Sequence, residues 1–383
     1  MILLLMLCVG LIGANSLVLS PIAAEVAAGL NVAQPADVMG AAAVYGIGVA
    51  LSALFLAPRA DRVGAHAALK TALIAILTGL GASALAPNLV VLCAAQGLAG
   101  VGVGMALPAI YSLAAVIAEK GREARTMGLV LTGWTLSMVG GVTLAAWIAE
   151  LMGWRMVFAL LTGGLLVIYG VVRGARFPDH QRSARATSPL SALRVAGILP
   201  ALFSVLALGT GFYGIYNYLG THLTGNLGRD VSEAGWMTLF YGAGFGAATL
   251  LDPWLDRVGP RRGLLAVFTT LSLYYAAMTL WDRDFGGLML LMFGWGALQH
   301  LGLNLTVSRL SMLDPSQRGA VMGLNSAVMY LSVFGATILY RPAFESGGLA
   351  WCMWLSALLA LCGAAEALIA RLRATRQHPA APV

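Results

Sequence analysis

Apolar residues come in long, nearly unbroken runs along the chain. Charged or turn-rich breaks separate twelve of them, at about 2–20, 37–57, 67–86, 89–114, 126–149, 155–173, 196–219, 233–251, 264–281, 286–308, 320–340 and 349–370. Each is about 20 residues long, the length an α-helix needs to cross roughly 30 Å of hydrocarbon. Barrel strands alternate apolar and polar residues with a weak signal per segment, so runs this continuous predict a bundle of membrane helices. The first run starts at Met1 with no basic leader and no small-residue cleavage site. It is read as a retained helix, not a signal peptide.

Composition agrees with the runs. Of 383 residues, 59% are hydrophobic and only 10% charged, against about 25% charged in a soluble domain. A soluble enzyme and a disordered or fibrous chain are both excluded. The 47 glycines fit membrane helices, in which Gly is commoner than in soluble ones. Cys8, Cys93, Cys352 and Cys362 all lie inside apolar runs without paired spacing, which gives neither a metal site nor a disulfide framework.

The net charge of +7 is explained by where the charge falls. Arg155, Arg229, Arg283 and Arg341 sit in one set of loops, and every other Lys and Arg in the alternate set or the tail. Positive loops stay cytoplasmic. Both termini and the central loop are therefore expected in the cytoplasm, with no nucleic-acid partner.

The central polar loop, residues 174–195, divides the chain into halves at 1–173 and 196–370, with a tail at 371–383. The halves resemble each other at a shift of 195 residues. Pro58-Arg59-Ala60-Asp61-Arg62-Val63-Gly64 recurs as Pro253-Trp254-Leu255-Asp256-Arg257-Val258-Gly259. The same shift maps Gly40 onto Gly235, Met127-Gly128 onto Met322-Gly323, Glu150 onto Glu345 and Gly153 onto Gly348. Six helices separate the copies, so they share one orientation in the membrane. That is a parallel repeat about an axis along the membrane normal.

Twelve helices in two parallel halves, a basic central loop and the repeated Asp-Arg-x-Gly turn together resemble the major facilitator superfamily over essentially the whole chain. Gly153-Trp154-Arg155-x-x-Phe158 and Pro21-Ile22-Ala23-Ala24-Glu25 resemble its bacterial drug and sugar efflux branch, a twelve-helix group of drug:proton antiporters. The resemblance implies an all-α major facilitator fold in a bacterial inner membrane, acting as a monomer on a small-molecule substrate, with protons as the driving ion.

It also implies a role for the repeated turn. In the family signature Gly-x-Leu-Ala-Asp-Arg-x-Gly-Arg-Lys, the residues Asp61, Arg62 and Gly64 match. Ala57, Arg59, Ala65 and His66 depart from it, and the second copy keeps Asp256, Arg257 and Gly259. In the family this turn latches the cytoplasmic face, so these six residues are the gating candidates. Asp61 would face the start of the eleventh run near Gly319, where a helix dipole favours negative charge. The alternative is that they only mark a tight turn.

Two other signatures of the family are altered. Its fourth-helix pattern Arg-x-x-Gln-Gly is here Cys93-Ala94-Ala95-Gln96-Gly97, without the Arg tied to proton coupling. Its fifth-helix antiporter pattern keeps Gly133 and Gly141 but is broken at Ser137, Met138 and Val142. Both changes count against proton antiport by the usual route.

The family's substrate cavity lies at the midplane between the halves, lined mainly by helices 1, 4, 7 and 10. Polar side chains in hydrocarbon are costly and tend to face a cavity or a neighbour. In the tenth run Gln299, His300 and Asn304 lie mid-span, with His300 and Asn304 one turn apart. In the seventh, Tyr213, Tyr216 and Asn217 share a face. Asn15, Gln96 and Tyr111 come from the first and fourth runs, and Tyr45, Trp134, Asn325 and Tyr330 from the second, fifth and eleventh. These thirteen are the substrate-binding candidates. Each also has a plainer reading, as a helix–helix hydrogen bond or an interfacial aromatic. His300, a side-chain type that ordinarily titrates near neutrality, is the candidate proton carrier.

The acids are informative by position. Glu25, Asp37, Glu150 and Glu345 fall at periplasmic span ends, Asp252 at the cytoplasmic end of the eighth run, and Glu366 about a turn from Arg371, where it can snorkel. No Lys or Arg is expected inside. An inventory of Asn, Gln, Tyr, Trp and one His suits neutral polar or amphipathic solutes, such as sugars or uncharged lipophilic drugs. The glycines Gly97, Gly100, Gly102 and Gly104 lack the order of a nucleotide loop and sit within an apolar run; Gly100 and Gly104 are spaced as a small-residue contact face. No Walker-type turn occurs. The expectation is a transporter and not an enzyme, with no catalytic residues, cofactor or metal. It exports a solute by proton antiport, or else carries a sugar-like solute without protons.

Overall fold

The computed structural model describes residues 1–58, 63–119, 122–175, 177 and 188–377. All twelve apolar runs fall in helix. In chain order the helices are α1 Ile2–Leu17, α2 Ala23–Leu30, α3 Met39–Phe55, α4 Ala65–Ala84, α5 Leu89–Ile117, α6 Glu123–Leu136, α7 Thr143–Met152 and α8 Trp154–Gly174. Then come α9 Ile198–Gly225, α10 Val231–Ala247, α11 Asp252–Val258, α12 Pro260–Met278 and α13 Phe285–Ser311. A final stretch, Arg318–Gln377, is broken by non-helical backbone at Gly347 and Gly348 into α14 (318–346) and α15 (349–377). Among the described residues, nine helical stretches are long and apolar enough to cross a membrane, the last of them the 55 residues of Arg318–Leu372. At 16 and 17 residues, α1 and α10 are short; α2 continues the one, and a 3₁₀ turn at Ala248–Leu251 the other.

Local sequence sets the ends. Asn88 accepts from the Val91 amide and Asp284 from the Gly287 amide, capping α5 and α13. Asp230 and Glu233 form a capping box at α10. These contacts satisfy helix-start donors that have no partner inside the helix. The 195-residue repeat reappears in the backbone. Gly64 and Gly259 precede α4 and α12 with φ of +93° and +74°, and Gly153 and Gly348 precede α8 and α15 with φ of +86° and +67°. Glycine alone takes such angles without steric cost.

The packing repeats as well. In the first half α3 and α4 pack on α5, α1 on α6, and α4 on α8; in the second α10 and α12 pack on α13, α9 on α14, and α12 on α15. Between the halves α3 meets α14, α7 meets α10, and α2 meets α9. Small residues allow the close approaches. A Cβ on Gly100 would fall 2.3 Å from the Tyr45 carbonyl oxygen, and one on Gly104 2.5 Å from that of Val49, so α5 lies directly on α3.

Burial sorts the helices by place. In α9, 78% of the spanning window is buried, against 33% in α8. Trp154, Val157, Phe158, Leu161, Leu165, Ile168 and Val172 form a buried stripe on α8, while Leu160, Leu166, Val167 and Val171 stand exposed. An exposed apolar face of this kind is a lipid face. It leaves α9 central and α8 at the rim.

One helix departs from regular geometry. Between α6 and α7 the chain makes a π-helical turn over Ser137–Val142, the segment where the antiporter pattern is broken. The one hydroxyl proton of Thr143 is within reach of two carbonyls, that of Met138 five residues back at 3.3 Å and that of Gly235 of α10 at 3.2 Å. Single π-turns in α-helices often mark functional positions.

Candidate functional site

The interior of the bundle holds a cluster of phenols drawn from both halves. Tyr45 of α3 and Tyr330 of α14 meet edge to face, ring centroids 6.2 Å apart. Ser16 of α1 spends its one proton on the Ile12 carbonyl at 2.9 Å. Ser16 Oγ and Tyr45 Oη also share a 2.6 Å hydrogen bond. Tyr111 and Tyr213 lie near Tyr330, and Trp134 of α6 lies near Tyr111. Five predicted residues on five helices, Tyr45, Tyr111, Trp134, Tyr213 and Tyr330, thus come together. Tyr45, Tyr213 and Tyr330 are buried, whereas Tyr111 and Trp134 are half-buried.

An aromatic column extends this cluster into the second half. Phe212 lies 4.8 Å from the Tyr213 ring, 5.2 Å from Tyr216, 5.3 Å from Tyr241 and 5.4 Å from Trp295. Trp295 donates through Nε1 to Tyr275 Oη at 3.0 Å. Sequence reasoning missed Ser16, Phe212, Tyr241, Tyr275 and Trp295. Helical spacing was the signal: Trp295 lies one turn before Gln299, and Phe212 one turn before Tyr216.

The remaining predicted residues turn elsewhere. Asn15 Nδ2 donates to Gln96 Oε1 at 3.2 Å, and Gln96 Nε2 to Ser83 Oγ at 3.0 Å, joining α1, α5 and α4 beside the cluster. Tyr216 Oη donates to the Leu17 carbonyl of the other half at 3.2 Å. Asn217 donates to Thr337 of α14 at 2.9 Å. Gln299 Nε2 donates to the Leu208 carbonyl at 3.3 Å. Gln299 Oε1 and Asn325 Oδ1 are buried without a protein partner. Such orphaned acceptors are expensive in a closed core and suit a site that exchanges partners.

His300 and Asn304 converge on a carboxylate. Asp252 Oδ1, at the start of α11, sits 3.0 Å from His300 Nε2 and accepts from Asn304 Nδ2 at 2.9 Å. Phe245 meets the His300 ring edge-on at 4.9 Å. The two residues of the tenth run therefore face the α10–α11 corner, and Asp252 is a member of the group.

The charge inventory needs correction at one place. Arg309 and Glu366, expected at the water boundary, form a half-buried bidentate pair at 2.7 Å and 2.7 Å, with side chains 14% and 15% exposed. Ser204 of α9 donates to Glu366 and accepts from Arg309. Glu366 thus turns inward to Arg309, and a guanidinium does lie inside the bundle. Lipid surroundings favour this choice, because a buried charge is tolerated only when paired.

Of the gating candidates, Gly64 and Gly259 hold the repeated positive-φ turn and Arg257 is exposed. Asp61, Arg62 and the side chain of Asp256 lie outside the described residues. At the repeat's departure from the family signature, His66 Nε2 lies 2.8 Å from the Val172 carbonyl at the C-terminal end of α8.

A doubled six-helix unit packed around a polar interior is the architecture of a secondary transporter of the membrane. The family model described as Major Facilitator Superfamily matches residues 5–225 and again 201–383. The chain is 26% identical over 349 residues to the uncharacterised MFS-type transporter YwfA of Bacillus subtilis, an alignment covering 88% of this chain and 84% of that one. It is 30% identical over 305 residues to the inner membrane transport protein YdhP of Escherichia coli, covering 77% and 76%. This chain belongs to the Major Facilitator Superfamily and is a multi-pass membrane transporter.

Proposed function

We propose that the chain exports a small neutral or amphipathic organic solute, drug-like or sugar-like, across a bacterial inner membrane. The halves 1–173 and 196–370 rock about the midplane, and both termini face the cytoplasm. The observation that carries this reading is the phenol cluster. Tyr45, Tyr111, Tyr213 and Tyr330 offer hydroxyls and ring faces from both halves, and Arg309 and Glu366 are paired to each other. Such a site recognises hydroxyl groups and apolar rings and gives little to a net charge.

Coupling is assigned to proton antiport, with His300 as the carrier and Asp252 as its partner. The turns at Asp61, Arg62 and Gly64 and at Asp256, Arg257 and Gly259 serve as cytoplasmic latches, and the working unit is a monomer. The second reading, a proton-independent carrier of a sugar-like solute, is favoured by the altered fourth- and fifth-helix signatures. Acid outside drives export in the first case and leaves transport unchanged in the second.

A thermal-shift screen of the purified protein against sugars, uncharged drugs, cationic drugs and organic anions tests the substrate class. A solute at about 100 times its dissociation constant stabilises the fold by roughly 2.7 kcal/mol. Sugars or neutral drugs are expected to raise the melt, and Tyr213→Ala to abolish the rise. A shift with anions or cations alone contradicts the reading.

A further inference from the structure

One pole of the bundle, opposite the chain termini, is shut by contacts between the halves. Along the central seam, Ser20 Oγ donates to the Tyr216 carbonyl, and a Cβ on Gly220 would fall 1.9 Å from the Ser20 carbonyl oxygen. The chain between α1 and α2 thus lies flat against α9. To either side of the seam stand two polar contacts that the 195-residue repeat relates to each other.

In the first, Glu150 at the end of α7 accepts from the Ser232 amide at the start of α10, at 2.6 Å. A carboxylate there meets the positive end of a helix dipole as well as a free amide. Trp147 and Trp236 pack beside it with centroids 5.6 Å apart. Adding 195 to Glu150 gives Glu345, and subtracting 195 from Ser232 gives Asp37. The mate of this contact therefore opposes two carboxylates across the halves. Like charges so placed repel. Arg341 resolves the conflict: it pairs with Asp37 of the first half, and its Nε donates to Glu345 at 2.7 Å in its own helix. The repeat mate of Arg341 is Ala146, so no cation stands at the corresponding position of the first contact.

We propose that these are the two arms of a clasp that holds this pole closed, and that Arg341 sets its strength by bridging two carboxylates the repeat would otherwise bring into conflict. Both arms must part each time the pole opens. The inference rests on the alternating access proposed above, but on no particular substrate.

The test places a reporter just beneath the seam. Ser16→Cys is introduced into the full chain, and labelling by a membrane-impermeant maleimide is followed in right-side-out and in inverted vesicles. The chain with Ser16 intact supplies the background from the native cysteines. With Arg341→Gln, labelling is expected to speed up about three- to fivefold from one side, as loss of the one partly exposed ion pair that crosses the halves and the unrelieved repulsion between Asp37 and Glu345 imply, and to slow from the other. The charge exchange Asp37→Arg with Arg341→Asp should restore the original rates, because a guanidinium at 37 again faces carboxylates at 341 and 345. Unchanged rates, a rise from both sides, or failure of the exchange to restore them would overturn the clasp. Reactivity from a single side in every variant would refute alternating access itself.

Discussion

Removing one partner of the Arg309–Glu366 pair should damage the protein far more than removing both. The pair joins α13 to α15, with Ser204 of α9 completing the set, and its two nitrogen–oxygen contacts are each 2.7 Å. With side chains only 14% and 15% exposed, solvent screens it little. Glu366→Leu strands a guanidinium among apolar helices, which costs about 3–5 kcal/mol. Arg309→Met strands the carboxylate at similar cost. The double variant replaces both ions by apolar groups of similar volume and should fall within about 1 kcal/mol of the parent, or above it. Unfolding of the purified protein by SDS titration, run as a double-mutant cycle, measures all three. A coupling of at least 2 kcal/mol in magnitude is expected, within the range for residues in one network. The reasoning fails if Glu366→Leu costs under about 1 kcal/mol, or if the double variant is as unstable as the singles, since either result would mean that the pair is hydrated.

Three further outcomes are expected. Gly100→Ala puts a Cβ 2.3 Å from the Tyr45 carbonyl oxygen; forcing α3 and α5 apart should cost about 1–3 kcal/mol by the same SDS titration, whereas Gly140→Ala, with open space around it, should not. Asp252→Asn and His300→Gln should each flatten the pH dependence of transport, as measured by flux at graded external pH, while Asn217→Ala, whose side chain is turned to Thr337, should leave it intact. Hydrogen bonds from Ser316 and Gln317 hold the Asp314 carboxyl below the usual carboxylate range. That cap is complete above the ordinary Asp pKa and is lost as pH falls through the depressed value, so exchange protection of the Ser316 amide should drop only on the acid side.

The helices were legible because lipid demands about 20 apolar residues for each crossing, whatever lies around them. The repeat was legible because Gly64, Gly153, Gly259 and Gly348 answer a backbone requirement that no other residue meets cheaply. What faces what was far less so. In α8 the lipid side and the buried side are both apolar, so hydropathy carries no direction, and the stripe from Trp154 to Val172 emerges only from packing. The same blindness hid the partner choices. Glu366 has Arg371 nearby in sequence but pairs with Arg309, 57 positions away. His300 and Asn304 share a helical face, as their spacing predicts, yet that face meets Asp252. Tyr45 and Tyr330 were both selected as polar groups in hydrocarbon, and only the contact of α3 with α14 makes them one site.

Solute movement through that site is the most direct test. The solute that stabilises the protein is offered to inverted membrane vesicles containing the full chain, with the vesicle interior made acid. Accumulation is expected, to be lost on collapsing the proton gradient and reduced at least tenfold by Tyr330→Ala. Accumulation that survives Tyr330→Ala unchanged, or confinement of transport to charged solutes, would contradict the account.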